Sequence, residues 1–257
     1  MRASILAALL SASALSSVSC GFADIVRGNG KVETERRSVS AFKSVSVSGS
    51  GMLRVHRGSQ KVEIIADSNI LPYITTEVAG GELKIGFKSL TSIVRSTKLE
   101  YDVTLPSLEG LRLSGSGQAY VDAFAGESFK GSSSGSGDVK AELDYDSIQL
   151  EVSGSGGFDV EAKARTLSLD SSGSGKAYLK GTADEAHFAL SGSGAALAQE
   201  LSTKKSGIVV SGSGKVEIRV SEKLNASVSG SGDVRYWGDP SVDSAVRGSG
   251  RVKRAGS

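Results

Sequence analysis

Apolar and polar residues alternate along most of this chain, and the alternation is punctuated at near-constant intervals by the tripeptide Gly-Ser-Gly. The triplet begins at Gly49, Gly115, Gly135, Gly154, Gly173, Gly192, Gly212, Gly230 and Gly248, with steps of 20, 19, 19, 19, 20, 18 and 18 residues from Gly115 onward. Two places beyond the second glycine stand Leu53, Ala119, Val139, Phe158, Ala177, Ala196, Val216, Val234 and Val252. Two further on come Val55, Val121, Ala141, Val160, Leu179, Ala198, Ile218 and Tyr236, and Arg254 breaks the column in the last copy. Two places before the first glycine are Val47, Leu113, Val152, Leu190, Val210, Val228 and Val246, with Ser133 and Ser171 as exceptions. Alternate residues of a strand share a face, so these columns predict strands with one buried side. The parity does not flip across the triplet. This predicts inward glycines and outward serines at a corner or a close approach that excludes a Cβ.

An interval near 19 residues is too long for one strand and too short for a domain. It suits one coil of a solenoid, which buries its apolar face only by stacking on its neighbours. The prediction is an all-β chain forming a single parallel β-helix over residues 38–254, with about 18–20 residues per coil and each strand paired to its equivalent one coil away. An α-solenoid is excluded by the absence of a 3.6-residue apolar period and by glycine recurring where helices would run. The weakly patterned residues between rungs, such as 144–147 and 203–206, read as the loop and third side of each coil. The copy around Gly135 reads as the weakest rung, because Gly131 and Ser133 occupy inward positions. Residues 62–113 are less regular. Segments 61–67, 81–85 and 99–106 alternate as strands and predict a modified opening to the helix, with residues 70–74 as a short turn covering the end.

With 5% aromatic residues, the core is expected to consist of stacked Val, Leu, Ile and Ala. The 30 basic and 28 acidic residues nearly cancel, which argues against nucleic acid as a partner. Residues 1–19 form a secretory signal pattern, a basic start followed by an apolar stretch too short to span a membrane. The only cysteine, Cys20, follows directly. Ser17-Val18-Ser19-Cys20 resembles the lipobox of bacterial lipoproteins, although Ser17 stands where leucine is usual. Lipidation of Cys20 is therefore expected, with ordinary signal cleavage as the alternative. Several acyl chains would give lasting membrane attachment. The expected order is a signal peptide (1–19), a tether (20–37), the β-helix and a short tail (255–257). By analogy with lipoproteins, Gly21 leans towards the outer membrane. The expected location is the bacterial cell envelope, outer-membrane-anchored or periplasmic. Arg247, Arg251, Lys253 and Arg254 are expected to mark the end of the solenoid and to keep the chain monomeric by discouraging end-to-end stacking.

Several pieces in order resemble the bacterial autotransporter-adhesin family with a head GIN domain. They are residues 45–51, 66–71, 74–78, 81–85 and 101–111, leading into the Gly-Ser-Gly series, and together they cover roughly 38–252. The resemblance implies a right-handed β-helix on an exported protein, often a lipoprotein, with an adhesive role. It implies no catalytic or ligand-binding residues.

No catalytic, cofactor or metal site is expected. Parallel β-helices include polysaccharide-acting enzymes, whose sites gather carboxylates on adjacent coils. In the motif-aligned columns no two acids are read as consecutive, and Asp144 and Asp146 read as a solvated loop beside Tyr145. His56 and His187 lie too far apart in the repeat for a triad or a metal site. Outward serines before each triplet would form a flat polar strip, with Ser153, Ser172, Ser191 and Ser211 as the candidate binding residues. The preferred function is a non-catalytic surface-interaction module meeting glycan or envelope components. The alternatives are a polysaccharide-acting enzyme and a structural spacer.

Overall fold

A computed structural model describes residues 24–89 and 91–256; the expected signal segment and Cys20 lie outside the described residues. The chain forms a β-solenoid of about 8 turns. Its strands are β1 (Asp24–Arg27), β2 (Val32–Arg36), β3 (Ser44–Gly49), β4 (Met52–Arg57), β5 (Lys61–Asp67), β6 (Ile74–Ala79), β7 (Glu82–Phe87), β8 (Thr91–Arg95), β9 (Leu99–Leu105) and β10 (Gly110–Gly115). They continue as β11 (Gln118–Gly135), β12 (Asp138–Val152), β13 (Gly157–Ser171), β14 (Lys176–Leu190), β15 (Ala195–Val210), β16 (Lys215–Gly230), β17 (Asp233–Trp237), β18 (Ser241–Gly248) and β19 (Arg251–Gly256). From β10 onward every strand pairs in parallel with the equivalent strand one coil away. Val139 lies beside Phe158 and Phe158 beside Ala177, while Leu150, Leu169 and Phe188 form the matching column on the other side of the corner. The sequence columns are thus physical columns of the tube.

The inward positions predicted from parity are buried. Leu53, Ala119, Val139, Phe158, Ala177, Ala196, Val216 and Val234 line one wall, and Val47, Leu113, Val152, Leu190, Val210 and Val228 line another. The two serine exceptions are buried as well: the Ser133 hydroxyl donates to the Gly137 carbonyl at 2.9 Å, whereas Ser171 Oγ has no partner. The rung expected to be weak is filled by its neighbours. A Cβ on Gly131 would stand 3.0 Å from Phe158 Cε1 and 3.1 Å from Phe129 Cε1, so two phenyl rings occupy the space that a side chain at Gly131 would need.

At each corner the carbonyl of the first glycine points along the stack. The Gly154 carbonyl accepts the N–H groups of both Ser174 and Gly175, each at 3.0 Å, and the Gly173 carbonyl accepts those of Ser193 and Gly194, each at 3.1 Å. One acceptor thus receives two donors from the next coil and draws the two backbones together. Cβ atoms at Gly154, Gly173 and Gly192 would run into the carbonyl oxygens of Gly135, Gly154 and Gly173. The obstacle expected inside the tube therefore lies mainly along its axis. Second glycines also face inward, where a Cβ at Gly232 would come within 2.5 Å of Val210 Cγ1.

The connecting segments expected as loops are extended strand. Leu143, Tyr145 and Ile148 are buried, and parity slips by one where Asp146 and Ser147 both turn away from the core. Tyr145 donates its hydroxyl to the Leu108 carbonyl at 2.5 Å, and its ring lies 5.6 Å from that of Phe129. In β15, Thr203 and Ser206 face inward on either side of exposed Lys204 and Lys205. The third side of each coil thus carries core as well, and the apolar periodicity is masked there by this slip and by small or hydroxyl-bearing inward residues.

The first end of the tube is closed by antiparallel pairing. Strand β5 lies between β2 and β9, β6 and β7 form a hairpin, and a 3₁₀ turn at Leu71–Tyr73 buries Leu71 beside buried Ile70. Asp67, fully buried, accepts from the backbone of Gly30 at 2.8 Å and of Thr97 at 2.7 Å and from the Ser96 hydroxyl at 3.1 Å. The Thr97 hydrogen bond is the main reason its carboxyl is held below the usual range. The part of the tether within the described residues is thus woven into this cap through β1 and β2. The last coil differs: every residue of β18 is exposed, including the inward-phased Val242 and Val246, and Arg254 pairs with Asp239 at 3.3 Å.

Replacing Gly173 with alanine should destabilise the protein by about 2 kcal/mol or more, as overpacking against fixed backbone does. Ser174→Ala, one residue away and exposed, should change stability by no more than about 0.5 kcal/mol. Chemical denaturation of the two variants makes the comparison. Burial pushes the Tyr145 phenol up from 10.0 to about 12. Because its folded pKa is raised, its stabilising contribution is complete below about pH 10 and is lost as pH rises through about 12. Tyr145→Phe should cost about 1 kcal/mol at neutral pH through the lost hydrogen bond. It should also make the alkaline loss of stability shallower, as read from melting temperature against pH.

Candidate functional site

The residue before each triplet lies on the outside of the tube, since its neighbours on both sides point inward. Ser153, Ser172, Ser191 and Ser211 are all exposed and occupy four successive coils. Register is set by backbone bonds: the N–H of Ser172 donates to Val152 O at 2.9 Å, that of Ser191 to Ser171 O at 2.8 Å, and that of Ser211 to Leu190 O at 2.7 Å. The four therefore form a ladder at the coil spacing. Each neighbouring pair stands about 4.8 Å apart along the stack. The ladder borders a shallow groove of about 320 Å³ whose other wall is formed by Glu151, Asp170, Ala189 and Val209. The Ser191 hydroxyl reaches the Ser171 carbonyl only at 3.5 Å, so it keeps its hydrogen-bonding capacity towards solvent.

Two pairs of acidic neighbours escaped the motif-aligned columns. Glu151 and Asp170 are register partners, and so are Glu142 and Glu161. Their signal is present in the sequence at the outward positions three before and seven after the first glycine of successive copies. Lysines on neighbouring coils hold two of these acids: Lys130 meets Glu151 at 2.7 Å and Lys180 meets Glu161 at 2.9 Å. The Glu161 carboxylate, first by hydrogen bonding and then by its charge, raises the Lys180 pKa above its ordinary value. The same inter-coil compensation joins Lys163 to Asp144 at 2.9 Å and Lys204 to Asp184 at 2.8 Å. Asp144 and Asp146, expected in a loop, flank buried Tyr145 on an extended strand and lie on the outside.

The histidines stay apart. His56 stands on β4 with Nδ1 2.8 Å from Asp122 Oδ2 and Nε2 3.6 Å from Asp102 Oδ2, bridging β9 and β11 at the surface. His187 lies on β14 with Nε2 3.9 Å from Glu185. Among the described residues, no group of three or more His, Cys, Asp or Glu is placed to hold a metal ion, and no helix is long and apolar enough to cross a membrane.

The outward columns after each triplet carry a further feature. Tyr120 and Tyr178 are both exposed, on the same column as Lys140 and Asp159. Exposed aromatic residues in an otherwise polar column were the available signal.

The fold is shared with solved structures of bacterial proteins. A protein described as a "putative lipid binding protein" from Parabacteroides distasonis aligns with a TM-score of 0.85 and 25% identity, covering 90% of this chain and 100% of its own. A "putative adhesin" from Parabacteroides merdae aligns with a TM-score of 0.84 and 26% identity over 91% of this chain and 100% of its own. A third, from Bacteroides fragilis, shares the fold at 21% identity, with a TM-score of 0.71 and coverage of 89% and 99%. No curated protein matches the chain. Residues 41–240 match the family model described as "Putative auto-transporter adhesin, head GIN domain", a span that takes in most of the closed end, the glycine corners from Gly49 to Gly230 and the serine ladder, and the chain belongs to that family.

Proposed function

We propose that this chain is a non-catalytic surface-interaction module of the bacterial cell envelope, exported, anchored through lipidated Cys20, and binding glycan or other ordered envelope material along its serine face. Membership of an adhesin family supports the surface role. The observation that carries the reading is the register of Ser153, Ser172, Ser191 and Ser211, four exposed hydroxyls in successive coils. A ladder of small, uncharged, hydrogen-bonding groups at constant spacing meets a polymer whose own groups repeat, and it lets the polymer approach the sheet closely. Rigid strands hold the groups in place before binding, so little conformational freedom is lost on contact. The neighbouring carboxylates and ammonium groups largely cancel along the stack, which leaves hydrogen bonding and close fit to decide what binds.

Replacing all four serines with glutamine should strongly weaken binding in a polysaccharide pull-down while leaving circular dichroism and the melting temperature close to those of the unaltered protein. Unchanged binding by a folded variant would reject the serine face. Anchoring is tested separately by expression in a bacterial host. The unaltered protein should fractionate with membranes and yield an acylated N-terminal peptide beginning at Cys20 by mass spectrometry, and Cys20→Ser should be recovered in soluble fractions. An unmodified N-terminal cysteine would overturn the anchor.

A further inference from the structure

Around the corner from the serine ladder, the first outward column after the triplets runs Gln118, Asp138, Gly157, Lys176, and the second runs Tyr120, Lys140, Asp159, Tyr178. Gly157 is fixed by the stack, because a Cβ there would run into the carbonyl oxygen of Lys176. Gly157 itself is buried between Asp138 and Lys176. A groove of about 530 Å³ runs along these columns, lined by Asp138, Lys140, Asp159 and Lys176 and edged by Ser155 and Ser174. Tyr120 and Tyr178 stand at its two ends, 39% and 49% exposed. They are three coils apart, a separation of roughly 14 Å along the stack.

The tyrosine at the first end is held in place. The Arg54 guanidinium lies 5.7 Å from the Tyr120 ring centroid, and the Tyr120 hydroxyl meets Gln118 Oε1 at 3.3 Å. Between the two rings, the carboxylates of Asp138 and Asp159 are balanced by the ammonium groups of Lys140 and Lys176, with Lys140 3.7 Å from Asp159. This combination selects a ligand class. A polyanion would meet two carboxylates, and a wholly apolar chain would strip water from four charged groups without replacing their hydrogen bonds. A pyranose ring satisfies both requirements: its C–H face stacks on a tyrosine, and its hydroxyl rim donates to carboxylates and accepts from ammonium groups. The spacing of the rings suits a short run of linked sugars.

We infer that the groove between Tyr120 and Tyr178 binds a neutral oligosaccharide, seated by stacking at both ends and hydrogen-bonded through Asp138, Lys140, Asp159 and Lys176. This deepens the surface-interaction reading and rests on it, but it uses a different face from the serine ladder. The test follows the aromatic resonances of Tyr120 and Tyr178 by NMR during titration with cellotetraose, maltotetraose and chitotetraose, with tetragalacturonate as the acidic counterpart. At least one neutral tetrasaccharide should shift both rings saturably and more strongly than the acidic one. Tyr120→Ala or Tyr178→Ala should weaken that binding about tenfold, a loss of one stacking contact. Tyr178→Phe and the four-serine variant should both retain it. Rings unmoved by every neutral tetrasaccharide at millimolar concentration, or binding that survives the double alanine variant, would overturn the groove. A polysaccharide pull-down separates the two ideas. Adhesion retained by the double variant, with no tetrasaccharide bound by the unaltered protein, removes the groove and leaves the wider reading. Saturable tetrasaccharide binding by a protein that adheres to no polysaccharide supports the groove and removes the wider reading.

Discussion

The solenoid depends on one recurring contact, in which the carbonyl of a corner glycine accepts one or two backbone N–H groups from the coil above. At Gly135 the donors are Ser155 at 2.7 Å and Gly156 at 3.0 Å, and the pattern repeats at Gly154 and Gly173. This contact brings the backbones so close that a methyl group on the next coil's first glycine would collide with that oxygen. Glycine at the corner is therefore a packing requirement, and at Gly49, Gly115 and Gly135 a positive φ adds a conformational one. The corner also pins register. A slip of one residue would put a side chain under the carbonyl and turn every aliphatic column outward.

Fixed register has consequences on both sides of the wall. Inside, columns need only conserve total volume between neighbours, so Gly131 and the rings of Phe129 and Phe158 together complete a rung that looks deficient by itself. Outside, like residues stand over like residues, and opposite charges placed one coil apart meet, as Lys130 does with Glu151 and Lys163 with Asp144. Exposed pairs of this kind contribute only about 0 to 1 kcal/mol each. Their larger effect is to remove long-range field from the faces, leaving the serine ladder and the tyrosine groove as the chemically distinctive surfaces. The two ends are unlike. Antiparallel strands and buried Asp67 close the first, whereas the last coil leaves Val242 and Val246 exposed beside Arg247, Arg251 and Arg254.

The sequence exposes this fold unusually directly, because period-2 parity survives the triplets and aligns vertically from coil to coil. Leu53, Val139, Val216 and their equivalents are legible as core from spacing alone. The third side is not: between Tyr145 and Ile148 parity slips, and inward Thr203 and Ser206 read as polar loop. Glu151 and Asp170 were hidden for another reason. They become neighbours only when an outward column is followed as closely as an inward one. The serine ladder is legible as placement, since sequence spacing puts each hydroxyl outside. The groove is not, because its walls come from four successive coils, and only the vertical register brings Tyr120, Asp138, Asp159 and Lys176 to one face.

Stacking in register makes a linear prediction about distance. Spin labels placed pairwise between Ser116 and each of Ser193, Ser213 and Ser231, all exposed central serines of the triplets, measure it by pulsed dipolar spectroscopy. The account predicts separations that grow by about 4.8 Å for each additional coil, from roughly 19 to roughly 29 Å across the series. Separations that fail to rise in that order, or broad distributions without a coil-by-coil increment, would contradict it.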